Sequence, residues 1–137
     1  MGLYNVFNVS GSSMSAQSVR LNTVASNLAN ADTINGNEKD VYRSRQPVFA
    51  AVMDELNNNQ ASVPVRVAGV VESQALARQE FQPDHPMANA QGYVFKSNVN
   101  TIEAMTNMMA ASRSYQNNVE VFNTAKQLLL KTLNMGR

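Results

Sequence analysis

The amino-acid sequence predicts a mainly α fold: long N- and C-terminal helices paired as an antiparallel coiled coil, with a small β-rich or irregular central domain. Three observations predict it. Apolar residues recur at helical spacing over both ends, charge is concentrated in the middle, with one charged residue over 1–31 and six over 97–137, and strand and turn signals are confined to the middle. The 137 residues thus divide into an N-terminal helix over 1–31, a central linker and small β-rich domain over 32–96, and a C-terminal helix over 97–137.

In the first arm, Leu3, Phe7, Met14, Leu21, Val24 and Leu28 follow a 3-4 alternation, with polar Ser10 and Gln17 at its two weak positions. Ser10-Gly11-Ser12-Ser13 and the Asn residues favour other conformations, so intrinsic helix propensity is poor. Such a segment is largely unfolded in water when isolated, and it needs a packing partner.

The second arm supplies one. Ile102, Met105, Met109, Ser112, Tyr115, Val119, Phe122, Ala125, Leu129 and Leu133 step by three or four along one stripe. Asn100 with Glu103 reads as a capping box, and Lys126, Lys131 and Gly136 suit a helix end. Neither Pro nor Gly interrupts the run from Asn98 to Met135. Pairing the two stripes gives an intramolecular seam of Leu3, Phe7, Met14, Leu21, Val24, Leu28, Ile102, Met105, Met109, Tyr115, Val119, Phe122, Leu129 and Leu133.

The centre opens with turn chemistry at Ala31–Asn37, where Asn35-Gly36 is the strongest local signal. A strand-like stretch over Val41–Val52 follows, held at an edge or split by Pro47. Asp54-Glu55 reads as a solvated turn and Asn57–Gln60 as a loop. Val63, Val65 and Val67 alternate with other residues in a half-exposed strand that breaks at Gly69 and resumes at Val70-Val71. Residues from Phe81 to Gly92 read as irregular, and Tyr93-Val94-Phe95 as a short strand. Alone, so small a core is marginal.

Composition narrows function. Only 15% of residues are charged, against about a quarter in a typical soluble chain. Net charge is +1, which gives no general attraction to nucleic acid or anionic membrane. Cys is absent, so disulfides and thiol chemistry are excluded. No apolar run reaches the roughly 18 residues of a membrane span, and the N-terminus lacks the features of a secretory signal. His85 is the single histidine, expected in a structured loop paired with Asp84, and no ligand cluster accompanies it. No catalytic, metal or cofactor site is expected, and the chain does not read as an enzyme.

Neutral polarity replaces charge. Asn occurs 18 times, and Arg20 is the one charged side chain between Met1 and Ala31. The outer helix faces offer Asn5, Asn8, Asn22, Asn27, Asn30, Asn107, Asn117, Asn118 and Asn123 where solvated helices show Glu, Lys and Arg. Burying an unpaired charge is costly, whereas an amide both donates and accepts with whatever group arrives. These asparagines are expected to form an intersubunit polar surface, so a charge at Asn27 or Asn118 should spare the monomer and block assembly.

Two stretches resemble a known family. Ser10–Gln17 with Leu21–Thr33 is similar to the N-terminal signature of bacterial flagellar axial proteins. Asp84-His85-Pro86, Gly92-Tyr93-Val94, Asn98–Asn100, Glu103–Met105, Ala111–Glu120 and Asn123–Lys126 resemble the C-terminal signature of the basal-body rod proteins, in its proximal-rod form. Ile34-Asn35-Gly36 departs from the Pro-Gly turn that the broader family carries at this point.

The resemblance implies a structural subunit of the proximal rod, assembling helically through its terminal helices as part of a periplasmic drive shaft that transmits torque and houses the export channel. It implies as partners copies of itself, adjacent proximal and distal rod proteins, and the flagellar type III export apparatus, with export that uses no cleaved signal peptide. No nucleic acid and no direct membrane insertion are expected. A different class, a soluble helical adaptor or export chaperone with an exposed seam for one partner, is the alternative.

Overall fold

The computed structural model describes residues 2–52 and 63–136. Helix α1 runs from Leu3 to Ala29 and helix α2 from Thr101 to Met135. Among the described residues between them are five strands, β1 Ile34–Asn35, β2 Arg45–Ala51, β3 Val65–Glu72, β4 Arg78–Phe81 and β5 Tyr93–Lys96, with a short 3₁₀ turn at Glu38–Asp40. Asp54-Glu55 and Asn57–Gln60, expected as a turn and a loop, lie outside the described residues.

The two helices owe their order to different causes. At the start of α2 the Asn100 side chain accepts from the Ile102 and Glu103 amides at 3.1 and 3.4 Å. Helix α1 has no side-chain cap at Gly2, no acid in its first turn and no base in its last. Its order comes from packing on both sides, against α2 and against the β2–β3 hairpin.

The helices pair antiparallel. Phe7 meets Phe122 edge to face with ring centroids 4.9 Å apart. Asn118 Nδ2 donates to Ser13 Oγ at 2.9 Å, and Arg20 Nη2 donates to Asn107 Oδ1 at 2.9 Å. As α1 advances, its partner in α2 recedes. Helix α2 continues from Phe122 to Met135, whereas α1 reaches from Phe7 back only to Leu3. About 13 Å of α2, some two and a half turns, therefore projects past α1.

The strands form two separate sheets. One has the order β1-β5-β4, all antiparallel, and bridges the C-terminal end of α1 to the start of α2. Two glycines make its turns possible: Gly92 has φ +81°, and a Cβ on Gly36 would lie 2.6 Å from the Met87 carbonyl oxygen. The other sheet is the antiparallel β2–β3 hairpin. Each of its strands is an edge, which accommodates Pro47 opposite Val70. The strand break expected at Gly69 does not occur: β3 is continuous, and Gly69 sits opposite Val48 where the register shifts. Strand β4 takes in Arg78–Glu80, for which no element was expected, and ends at Phe81, where the irregular stretch was expected to begin.

A small apolar core joins these parts. Val24, Ala31, Val99 and Ala104 are buried together, with Tyr42 and Met108 packed against them. It lies where α1, the central strands and α2 converge.

Candidate assembly surfaces

The buried stripes of the helix pair are made of small and neutral side chains. In α2, Ala104, Ala111 and Ala125 are buried and fall in one heptad register with half-buried Asn118. In α1 and just beyond it, buried Ser10, Val24 and Ala31 share a heptad register with Gln17. Among the described residues Gln17 Oε1 is buried and has no hydrogen-bond partner. Small side chains let two helix axes approach closely, so little large apolar surface is consumed between them.

The expected seam residues divide accordingly. Val24 is buried, and Phe7, Met14, Leu21, Leu28, Val119 and Phe122 are half-buried. The side chain of Leu3 lies outside the described residues. Ile102 (78% exposed), Met105, Met109 (67%) and Tyr115 are exposed instead, and Leu129 and Leu133 are exposed on the stretch of α2 that projects past α1. The 3-4 stripe of the sequence contains Ala125, Val119 and Phe122, but it omits Ala104 and Ala111, which are buried one position before Met105 and Ser112. Ala gives little signal of which helix face it occupies.

The asparagines divide too. Asn8, Asn22, Asn117 and Asn123 are exposed, and Asn5 and Asn30 are half-buried, the latter donating to the Ser26 carbonyl. Asn107 and Asn118 are engaged across the helix pair by Arg20 and Ser13. Asn27 is only 5% exposed, and its Nδ2 donates to the Arg45 carbonyl at 2.7 Å. Its Oδ1 accepts from Tyr42 Oη and Arg45 N, both at 2.9 Å. The expectation that a charge at Asn27 spares the monomer is corrected by this geometry: a charge there disrupts a buried side chain that makes three internal hydrogen bonds. Asn118 is partly committed inside the chain as well.

The remaining electrostatics are modest. Arg45 pairs with Glu72 at 2.9 Å and lies over the Tyr42 ring. Burial pushes the Tyr42 hydroxyl above its ordinary pKa, with the Arg45 charge lowering it and Glu72 raising it further. Glu80 is held below the usual carboxylate range, chiefly by its hydrogen bond from Lys96 and then by Gln82. Among the described residues no group of three or more His, Asp or Glu side chains could hold a metal ion. His85 Nδ1 accepts from the Met87 amide in its own loop; no bond to Asp84 is described. Within the described residues, no helix is long and apolar enough to cross a membrane.

What the surface does offer is apolar area without cover. Every residue from Lys126 to Gly136 is exposed, including Leu128, Leu129, Leu130, Leu133 and Met135 on the projecting end of α2. Val6, Val121, Ala125 and Leu128 line an adjoining groove beside the start of α1.

Comparison with known proteins decides the family. Residues 7–35 match "Flagella basal body rod protein", and residues 90–135 match "Flagellar basal body rod FlgEFG protein C-terminal". The flagellar basal-body rod protein FlgC of Salmonella typhimurium is 47% identical over 137 residues, covering all of both chains. The chain belongs to the FlgC family of flagellar basal-body rod proteins. FlgC of Escherichia coli O6:H1 is likewise 47% identical over its whole length, and FlgC of Buchnera aphidicola subsp. Baizongia pistaciae is 31% identical over the same span. The two family matches fall on α1 with the turn into β1, and on β5 with α2. These are the elements that form the helix pair and its base. A FlgC-family chain is a structural subunit of the basal-body rod and not an enzyme, which sets aside the adaptor and chaperone reading.

Proposed function

We propose that this rod subunit assembles helically with copies of itself and with adjacent proximal and distal rod proteins, using its two terminal helices as the contact surface. The helix pair acts as an antiparallel coiled coil at the inner wall of a periplasmic drive shaft that carries torque and encloses the export channel. The outer asparagines Asn8, Asn22, Asn117 and Asn123 meet neighbouring chains. Export proceeds through the flagellar type III apparatus as an unfolded chain without a cleaved signal peptide, which the poor intrinsic helicity of α1 favours.

The observation that carries this reading is the projecting end of α2, where Leu128, Leu129, Leu130, Leu133 and Met135 are exposed in the single chain. A leucine-rich helix end of this kind is costly in water and is stabilised once other helices cover it. Replacing Leu130 and Leu133 together by Glu tests it. Monomer unfolding should be unaltered, while rod assembly and motility of cells carrying the variant should be lost. Normal motility would reject the proposal.

A further inference from the structure

The β2–β3 hairpin is joined to the helices differently at its two ends. At its base, Asn27 holds both backbone polar groups of Arg45 and the Tyr42 hydroxyl. Asn98 accepts from the Ser44 amide at 2.7 Å and donates to the Ala75 carbonyl at 2.9 Å. Ser73 N then closes the base on Ser44 O at 2.8 Å. Toward the far end, Val65 N donates to Ser12 Oγ at 3.1 Å. Between these ends the hairpin is thinly packed: only Pro47, Ala50, Val65 and Val67 are half-buried, and its other strand residues are exposed.

The two attachments also differ in what release would cost. Opening the base would strip partners from a buried amide, a tyrosine hydroxyl and several backbone groups at once. Ser12 Oγ already donates to the Val9 carbonyl at 2.9 Å within its own helix, so its hydroxyl keeps a partner when the hairpin leaves. The Val65 amide passes to water. From Ser12 to Asn27 the helix advances roughly 22 Å, close to the roughly 20 Å that β2 spans from Arg45 to Ala51, so hairpin and helix run alongside each other.

We propose that the β2–β3 hairpin is a pivoting strap on α1, with Asn27 and Asn98 as its pivot and Ser12 as the latch for its far end. Unlatching lifts the far end from the first half of α1 while the base stays in place. The part of α1 uncovered is the surface around Ser12, within the weak helical run Ser10-Gly11-Ser12-Ser13. Resting on the assembly reading above, this gives a neighbouring helix access to α1 only after the strap opens.

The absence of native Cys permits a direct test on the full-length free chain. Spin labels at S15C with R66C report the far end, and labels at S26C with V71C report the base. All four positions are exposed. In double electron–electron resonance, Ser12→Ala should add a longer-distance population to the far pair and leave the base pair unchanged. Ser12→Thr, which keeps the hydroxyl, should restore the parent distribution. An unchanged far pair in Ser12→Ala, or equal broadening of both pairs, would overturn the strap. Because the free chain is measured, this outcome is independent of whether the assembly reading survives.

Discussion

Asn27 meets Arg45 as one strand meets another: its Oδ1 accepts from the Arg45 amide at 2.9 Å while its Nδ2 donates to the Arg45 carbonyl at 2.7 Å. An amide is the side chain that matches a backbone donor and acceptor together. Removing it leaves Tyr42 Oη and both Arg45 backbone groups wanting partners. Asn27→Ala should destabilise the monomer by about 2–3 kcal/mol in urea unfolding. Asn27→Asp makes the site pH-dependent. The carboxylate cannot donate to the Arg45 carbonyl but the carboxylic acid can, so the folded-state pKa is raised. The variant's stability relative to the parent should be highest below the ordinary Asp pKa and fall as pH rises through the folded value.

Gln17 gives the opposite sign. Its Oε1, on the inner stripe of α1, is buried with no partner among the described residues. An apolar side chain of similar volume removes that desolvation cost, so Gln17→Leu should raise monomer stability by about 1 kcal/mol, read as a higher urea midpoint.

The inner face of α2 should tolerate no added volume. Ala111 is 0% exposed, and Ala111→Leu should cost about 1–3 kcal/mol by overpacking the helix pair. Met109, 67% exposed, should be replaceable by Ala within about 0.5 kcal/mol. Paired unfolding curves of the two variants check which face of α2 meets α1.

These contrasts mark how far the sequence is readable. Both helices were legible from spacing and from the Asn100 cap, because periodicity and capping are local properties. The phase of α2 is legible only in its second half, where Val119, Phe122 and Ala125 lie on the expected stripe; in the first half Ala104 and Ala111 are buried in place of Ile102, Met105 and Met109. Large side chains such as Ile102 and Met109 remain exposed. Strand β4 was missed because Arg78–Phe81 is exposed throughout and so carries no alternation. Asn27 was misplaced because composition cannot distinguish an amide facing solvent from one facing a strand end eighteen residues later.

A pH effect is expected in the three-stranded sheet. Lys96 holds Glu80 ionised across the β4–β5 pair, which lowers the Glu80 pKa. A depressed folded-state pKa contributes stability above the unfolded carboxylate value that is lost as pH falls through the folded one. Solvent screening keeps the effect small at this exposed site. Amide exchange of Gln79–Phe81 should therefore accelerate, relative to the intrinsic rate, on acidification below the carboxylate range. Glu80→Gln should flatten that dependence.

The proposed assembly depends on other chains covering the projecting end of α2. With no native Cys, Leu133→Cys places a single thiol on that end. In the free chain a thiol-reactive label should modify it rapidly, and in isolated basal bodies carrying the variant it should be strongly protected. Equal labelling in both would contradict the account.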